Sequence, residues 1–151
     1  MKEKSEMRKV GENAMVNYLY DVFNNYGVKQ FLGGSKRFID LNNNSDWDFF
    51  IFIEREKEEE FYNHLGSIGF TYNFGTGYEA NTKQYIYGNL FHITCFNIHS
   101  LWYSLNEEHQ QIATFIKKMG KDKTQDFHNY IKELGLKGKE FYRILRFFVV
   151  H

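Results

Sequence analysis

The sequence predicts an α+β fold (α/β in the broad sense): a small mixed β-sheet with helices packed on it and a helical C-terminal segment. Three observations lead there. The predicted elements run helix, strand, turn, strand, helix, strands, helices, which interleaves strands with helices instead of segregating them. Two strongly apolar runs, residues 47–53 and 90–96, are too short and too rich in β-formers to be helices. The whole chain has 151 residues and no proline, without an internal repeat or a linker. One domain over residues 1–151 is expected, with a core at about 28–96 and C-terminal helices at about 98–150.

The elements follow in order. Residues 5–26 read as a helix, with Met7, Val10, Ala14, Tyr18, Val22 and Tyr26 on one stripe and Met15, Leu19 and Phe23 beside it. Gly27 suits the position after its end. Residues 29–32 form a short buried strand, and Ser35 caps a short helix. Residues 41–45 are turn chemistry. Residues 47–53 form a central strand. Residues 54–65 form a helix with Phe61, Tyr62 and Leu65 inward, ended by Gly66 and Gly69. Its acidic first turn is a solvated face that suits the helix dipole. Residues 70–74 and 83–87 are two strands joined by a Gly-rich loop, and Gly88 and Asn89 make a tight turn. In the strand at 90–96, His92, Thr94 and Phe96 share one face, with Phe91, Ile93 and Cys95 on the other.

Beyond Ile98 the pattern is helical. Trp102, Leu105, His109, Ile112 and Ile116 lie on the stripe of a helix at about 100–118 that breaks near Leu105. A second helix at 124–134 takes Thr124 as its cap. The last, at 139–149, turns Phe141, Ile144, Leu145 and Phe148 to one side.

Composition bounds function more than it identifies it. The single cysteine, Cys95, excludes an internal disulfide and a cysteine-rich zinc site. No apolar run reaches the length of a membrane span, and residues 1–6 lack the apolar segment of a secretory leader, so a cytoplasmic protein with no membrane partner is the expectation. Net charge is zero, but residues 1–116 carry ten Lys/Arg against fifteen Asp/Glu, and residues 117–151 nine against four. Two complementary surfaces within one fold explain that. A basic face for a nucleotide or nucleic acid is the functional alternative.

The informative stretch lies at residues 31–53. An apolar strand reaches Gly33, Gly34 and Ser35, followed by Lys36 and Arg37. Ten residues separate Ser35 from Asp46, and Asp46 and Asp48 open the apolar strand. Alternate strand residues share a face, so the two aspartates point the same way. Like charges held that close call for a cation between them, and Mg²⁺ commonly takes one or two carboxylates plus substrate phosphates. Gly33 and Gly34 let the backbone approach a ligand, and amides at a helix N-terminus favour phosphate.

This layout resembles the DNA polymerase beta-like nucleotidyltransferase superfamily, in its minimal, single-domain form. The resemblance covers roughly residues 28–96. It implies a nucleotidyltransferase-like fold and Mg²⁺- or Mn²⁺-dependent transfer of a nucleoside monophosphate from a nucleoside triphosphate. The acceptor, a protein, a small molecule or an RNA end, stays open, as does the oligomeric state. Asp46 and Asp48 match the catalytic, metal-holding acids. Gly33, Gly34, Ser35, Lys36 and Arg37 match the nucleotide-binding turn.

A third carboxylate belongs on a later strand, yet no Asp or Glu lies between Ala80 and Asn106. His92 is the ionisable residue of strand 90–96. Either His92 replaces the acid, or the site works with fewer ligands, or it no longer catalyses and binds a nucleotide or a protein instead. Parity places His92 beside Asp48 and facing the cleft. Tyr78, Tyr85, Tyr87 and Trp102 are open as base contacts, and Lys137, Lys139, Arg143 and Arg146 as phosphate contacts.

Overall fold

The structure is a computed structural model and describes residues 2–33, 46–74, 82–97, 100–136 and 138–150. Helix α1 spans Lys2–Asn25 and ends where Gly27 adopts a φ of +64°. Val16, Leu19, Val22 and Phe23 are buried, together with Glu12, while Ala14 and Tyr18 are exposed. The helix is therefore rotated from the expected stripe. Spacing i, i+3, i+6, i+7 gathers the larger aliphatic and aromatic side chains on one face, and that face buries more apolar surface.

Five strands form one sheet: β1 Lys29–Gly33, β2 Trp47–Phe52, β3 Thr71–Asn73, β4 Thr82–Tyr87 and β5 Phe91–Phe96. Their spatial order is β1-β2-β5-β4-β3. The β2/β5 pair is parallel and the other three pairs are antiparallel. Strand β1 lies at an edge and is only partly the buried strand that the sequence predicts. Lys29 is exposed, residues 30–32 are half-buried and Gly33 alone is buried.

The β2–β5 crossover contains a 3₁₀ turn, Arg55–Lys57, and helix α2, Glu58–Ser67. Helix α2 runs through Gly66, and the chain turns at Gly69, with φ +107°. Phe61 and Leu65 are buried and Tyr62 is half-buried.

The sheet has two different faces. On one, Phe49, Ile51, Phe91, Ile93 and Cys95 pack with Leu19, Val22 and Phe23 of α1 and Phe61 and Leu65 of α2. On the other, Phe50, Phe52 and Phe96 pack with Phe31, Trp102 and Leu105. Trp102 and Leu105 belong to α3, Ser100–Met119, which is continuous through Leu105.

Gly120, with φ +89°, separates α3 from α4, Lys121–Glu133. Thr124 is not the cap. It is buried in the first turn of α4 and donates its hydroxyl to the Gly120 carbonyl at 2.7 Å. Helix α5, Gly138–Val150, closes against α3 and α4 through Ile112, Ile116, Ile131, Phe141 and Leu145. No helix among the described residues is long and apolar enough to cross a membrane.

Phe49 sits at the centre of the larger core, fully buried between Tyr20 and Phe23 with ring centroids 5.6 Å from each. Phe49→Ala is expected to cost about 3–5 kcal/mol of stability, read as a lowered urea midpoint with an unchanged slope.

Candidate functional site

Strand pairing builds the site. Gly33 is directly opposite Asp48 in the β1/β2 pair, and Asp48 is directly beside His92 in the β2/β5 pair. Residues in register share a face, so Gly33, Asp48 and His92 form one row across three strands. The row lies on the face that carries Phe50 and Phe52, away from α1 and α2. Asp46 precedes β2 by one residue, and the pairing extends to its neighbour, since the Trp47 amide donates to the Leu90 carbonyl at 2.7 Å.

Within the row, His92 Nδ1 lies 3.3 Å from Asp48 Oδ1, with side-chain exposures of 28% and 32%. A ligand can therefore reach both. The hydrogen bond to Asp48 raises the His92 pKa most. Burial works against it, and the charges of Asp48 and Asp46 add to the rise. Burial raises the Asp46 pKa first. His92 opposes that rise, and the Asp48 charge reinforces it. The three side chains thus form one electrostatic unit in which imidazolium offsets carboxylate charge.

Gly33 is held for a reason the sequence does not reveal. A Cβ there would fall 2.5 Å from Phe50 Cε2 and 3.2 Å from His109 Cε1. His109, from α3, stands edge-on to the rings of Phe31 and Phe50, each at 5.0 Å between centroids. The side of Gly33 that bears no side chain is therefore filled by protein. Gly34, Ser35, Lys36 and Arg37 lie outside the described residues.

Several other candidates have contacts of their own in the structure. Tyr85 and Tyr87 are in register with Ile93 and Phe91 and so stand on the α1/α2 face. Tyr85 stacks on Tyr62, and Tyr87 packs against Phe70. Trp102 receives Lys29 over its ring. Arg143 and Arg146 pair with Glu140 and Glu108 in the helical segment. Tyr78 and Lys137, and the side chain of Lys139, lie outside the description.

One group escaped the sequence reading. Asn73, Gln84 and Thr94 are register partners across β3, β4 and β5. Asn73 Nδ2 donates to Gln84 Oε1 at 2.7 Å, and Gln84 Nε2 reaches Thr94 Oγ1 at 3.5 Å. The available signal was the run Thr82, Gln84, Ile86, which alternates with Lys83, Tyr85 and Tyr87.

Asp46 and Asp48 are hard oxygen donors, as Mg²⁺ requires. A two-metal site of the kind the resemblance implies needs three carboxylates, and the position beside Asp48 carries an imidazole bonded to it. Among the described residues no group of three His, Cys, Asp or Glu side chains could hold a metal ion. The described donors do not fit that two-metal arrangement.

No family profile matches the chain, and no curated protein does. Solved structures do. GrpB from Enterococcus faecalis superposes with a TM-score of 0.60 over 89% of this chain and 87% of that one, at 13% identity. At that identity the likeness is one of fold alone: the chain shares the α+β fold of GrpB, a mixed five-stranded sheet with helices packed on it. The Cid1 poly(U) polymerase overlaps partially, in a mutant bound to MgATP and in a form bound to MgGTP. Its TM-scores are 0.47 and 0.46, at 16% identity over 70% of this chain, which spans 36% of the polymerase chain.

Two measurements follow from the row. His92 is expected to titrate above its ordinary value of 6.5, and Asp48→Asn should bring it back down, as read by NMR of the imidazole protons. The stability His92 contributes is complete below the unfolded value and is lost as pH climbs through the raised folded value. Gly33→Ala should cost about 1–3 kcal/mol by overpacking, with or without a nucleotide present.

Proposed function

We propose that the chain binds a nucleoside triphosphate by its phosphates, at residues 33–37 and the adjoining Asp48 row, and that His92 occupies the place of the third acid. On this reading the protein is a nucleotide-binding module on a nucleotidyltransferase-like fold. The observation that carries it is the contact of His92 with Asp48 in direct register. An imidazolium there supplies positive charge next to two carboxylates, so an anionic ligand meets a smaller net negative charge. A neutral imidazole is a weak partner for Mg²⁺, so His92 does not substitute for a carboxylate as a ligand. Lys36 and Arg37 add cationic charge next to the turn in sequence. Asp46 and Asp48 are the residues that would hold a Mg²⁺ or Mn²⁺ ion arriving with the nucleotide.

A second reading keeps the activity: Mg²⁺-dependent transfer of a nucleoside monophosphate to a protein, a small molecule or an RNA end. It is favoured by two carboxylates at the start of β2, one directly opposite the first glycine of the turn. Asp46 and Asp48 are then the catalytic acids.

Calorimetry with triphosphates, run beside transfer assays with labelled triphosphates and candidate acceptors, separates the two. Binding without turnover is the expected result. Turnover that Asp46→Ala abolishes would establish the enzyme instead, and neither binding nor transfer would remove both. His92→Asp completes a set of three carboxylates and should raise Mg²⁺ affinity in a metal titration. An affinity equal to that of the wild type would show that His92 is not at the acid's position.

A further inference from the structure

We propose that Asn73 and Gln84, the accessible end of the ladder Asn73–Gln84–Thr94 that is anchored on buried Thr94, read the base of the bound nucleotide, an inference that rests on the triphosphate-binding reading above. Phe31, Phe50, Thr94, Gln84 and Asn73 are successive register partners from β1 to β3. The polarity of that row changes sharply halfway. Phe31 and Phe50 stack at 5.0 Å, nearly parallel, where α3 lays His109 over them. Beyond Phe50 every member is an amide or a hydroxyl. Thr94 is buried, and Gln84 and Asn73 are half-buried. This part of the sheet is a lined polar surface and not a fully solvated one.

The ladder is placed and equipped for a neutral heterocycle. It lies one row along from Asp48 and His92, about 7 Å down the strands, and Gln84 is two strands across from Asp48, about 10 Å. A sugar and phosphate chain bridges such a gap. Ile86, half-buried and in register with His92, offers an apolar contact for a ring between the two rows. The three side chains are uncharged, which suits a base and not a phosphate.

The ladder also keeps unspent capacity. At 3.5 Å the Gln84–Thr94 contact is long for a hydrogen bond, so the Gln84 amide is loosely held at that end. A primary amide carries two donors and an acceptor with two lone pairs. Asn73 and Gln84 spend one donor and one acceptor on each other, leaving donors and acceptors for a base edge. Asn and Gln recognise bases through such paired contacts.

The test uses the full chain, the four common nucleoside triphosphates and inorganic tripolyphosphate, by calorimetry. The wild type is expected to prefer one base by about tenfold or more. Gln84→Met and Asn73→Ala should level that preference while tripolyphosphate affinity stays as in the wild type. Gln84→Glu keeps the shape and swaps donors for an acceptor, so it should change which base is preferred, and it stands in if Gln84→Met does not fold. A preference that survives all three substitutions, with only thermal stability lowered, would make the ladder a tie for strand β3 and overturn the proposal. So would equal affinity of the wild type for all four bases. If neither triphosphates nor tripolyphosphate bind the wild type, the phosphate-binding reading fails first and the ladder proposal falls with it.

Discussion

The parallel pairing of β2 with β5 is the constraint on which the rest of the molecule depends. Both strands are interior, and residues 49–52 and 93–96 are buried on both faces. Parallel strands cannot be joined by a tight turn, so the chain must leave the sheet between them. It uses that excursion to lay down α2 and then the β3/β4 hairpin on the far side of β5. The register of this one pair also sets the chemistry. A shift by one residue would carry Asp48 into the core and turn Phe49 out of it. The burial of Phe49, Ile51 and Ile93 on one face thus holds Asp48 beside His92 on the other.

Much of the fold is legible because the strongest signals are short and local. The runs at 47–53 and 90–96 are apolar enough to define interior strands, and alternation within the second places His92 and Thr94 on one face. What eluded the sequence depends on partners remote in the chain. Glu12 and Val16 face inward because the rest of the molecule selects which side of α1 to cover, and the helix's own periodicity does not decide it. Thr124 reads as a cap from its type, yet Gly120 has already ended the preceding helix, so the hydroxyl binds inside the turn. The ladder is hard to see in the sequence because Asn73, Gln84 and Thr94 look like ordinary polar strand residues until two registers align them across three strands.

The candidate site divides in the same way. The aspartate pair and the glycine turn are contiguous enough to be seen in sequence. The edge-on histidine over Gly33 comes from α3, more than seventy residues later, and only tertiary packing reveals it. The basic character of residues 117–151 resolves in part within the helical segment itself, where Arg143 and Arg146 are engaged by nearby acids.

The filled space beside Gly33 bears on how this chain could drift over generations. Phe50 and His109 penalise a side chain at that position whatever the site binds. A lineage in which the neighbouring acid and histidine served no ligand would still keep that glycine, because losing it would disturb the contact between sheet and helix. Asp48 and His92 are partly exposed and meet no such packing limit, so they have more room to change. The glycine is thus a poor witness to function, and the fate of the acid and the imidazole in diverged copies would be the more telling record.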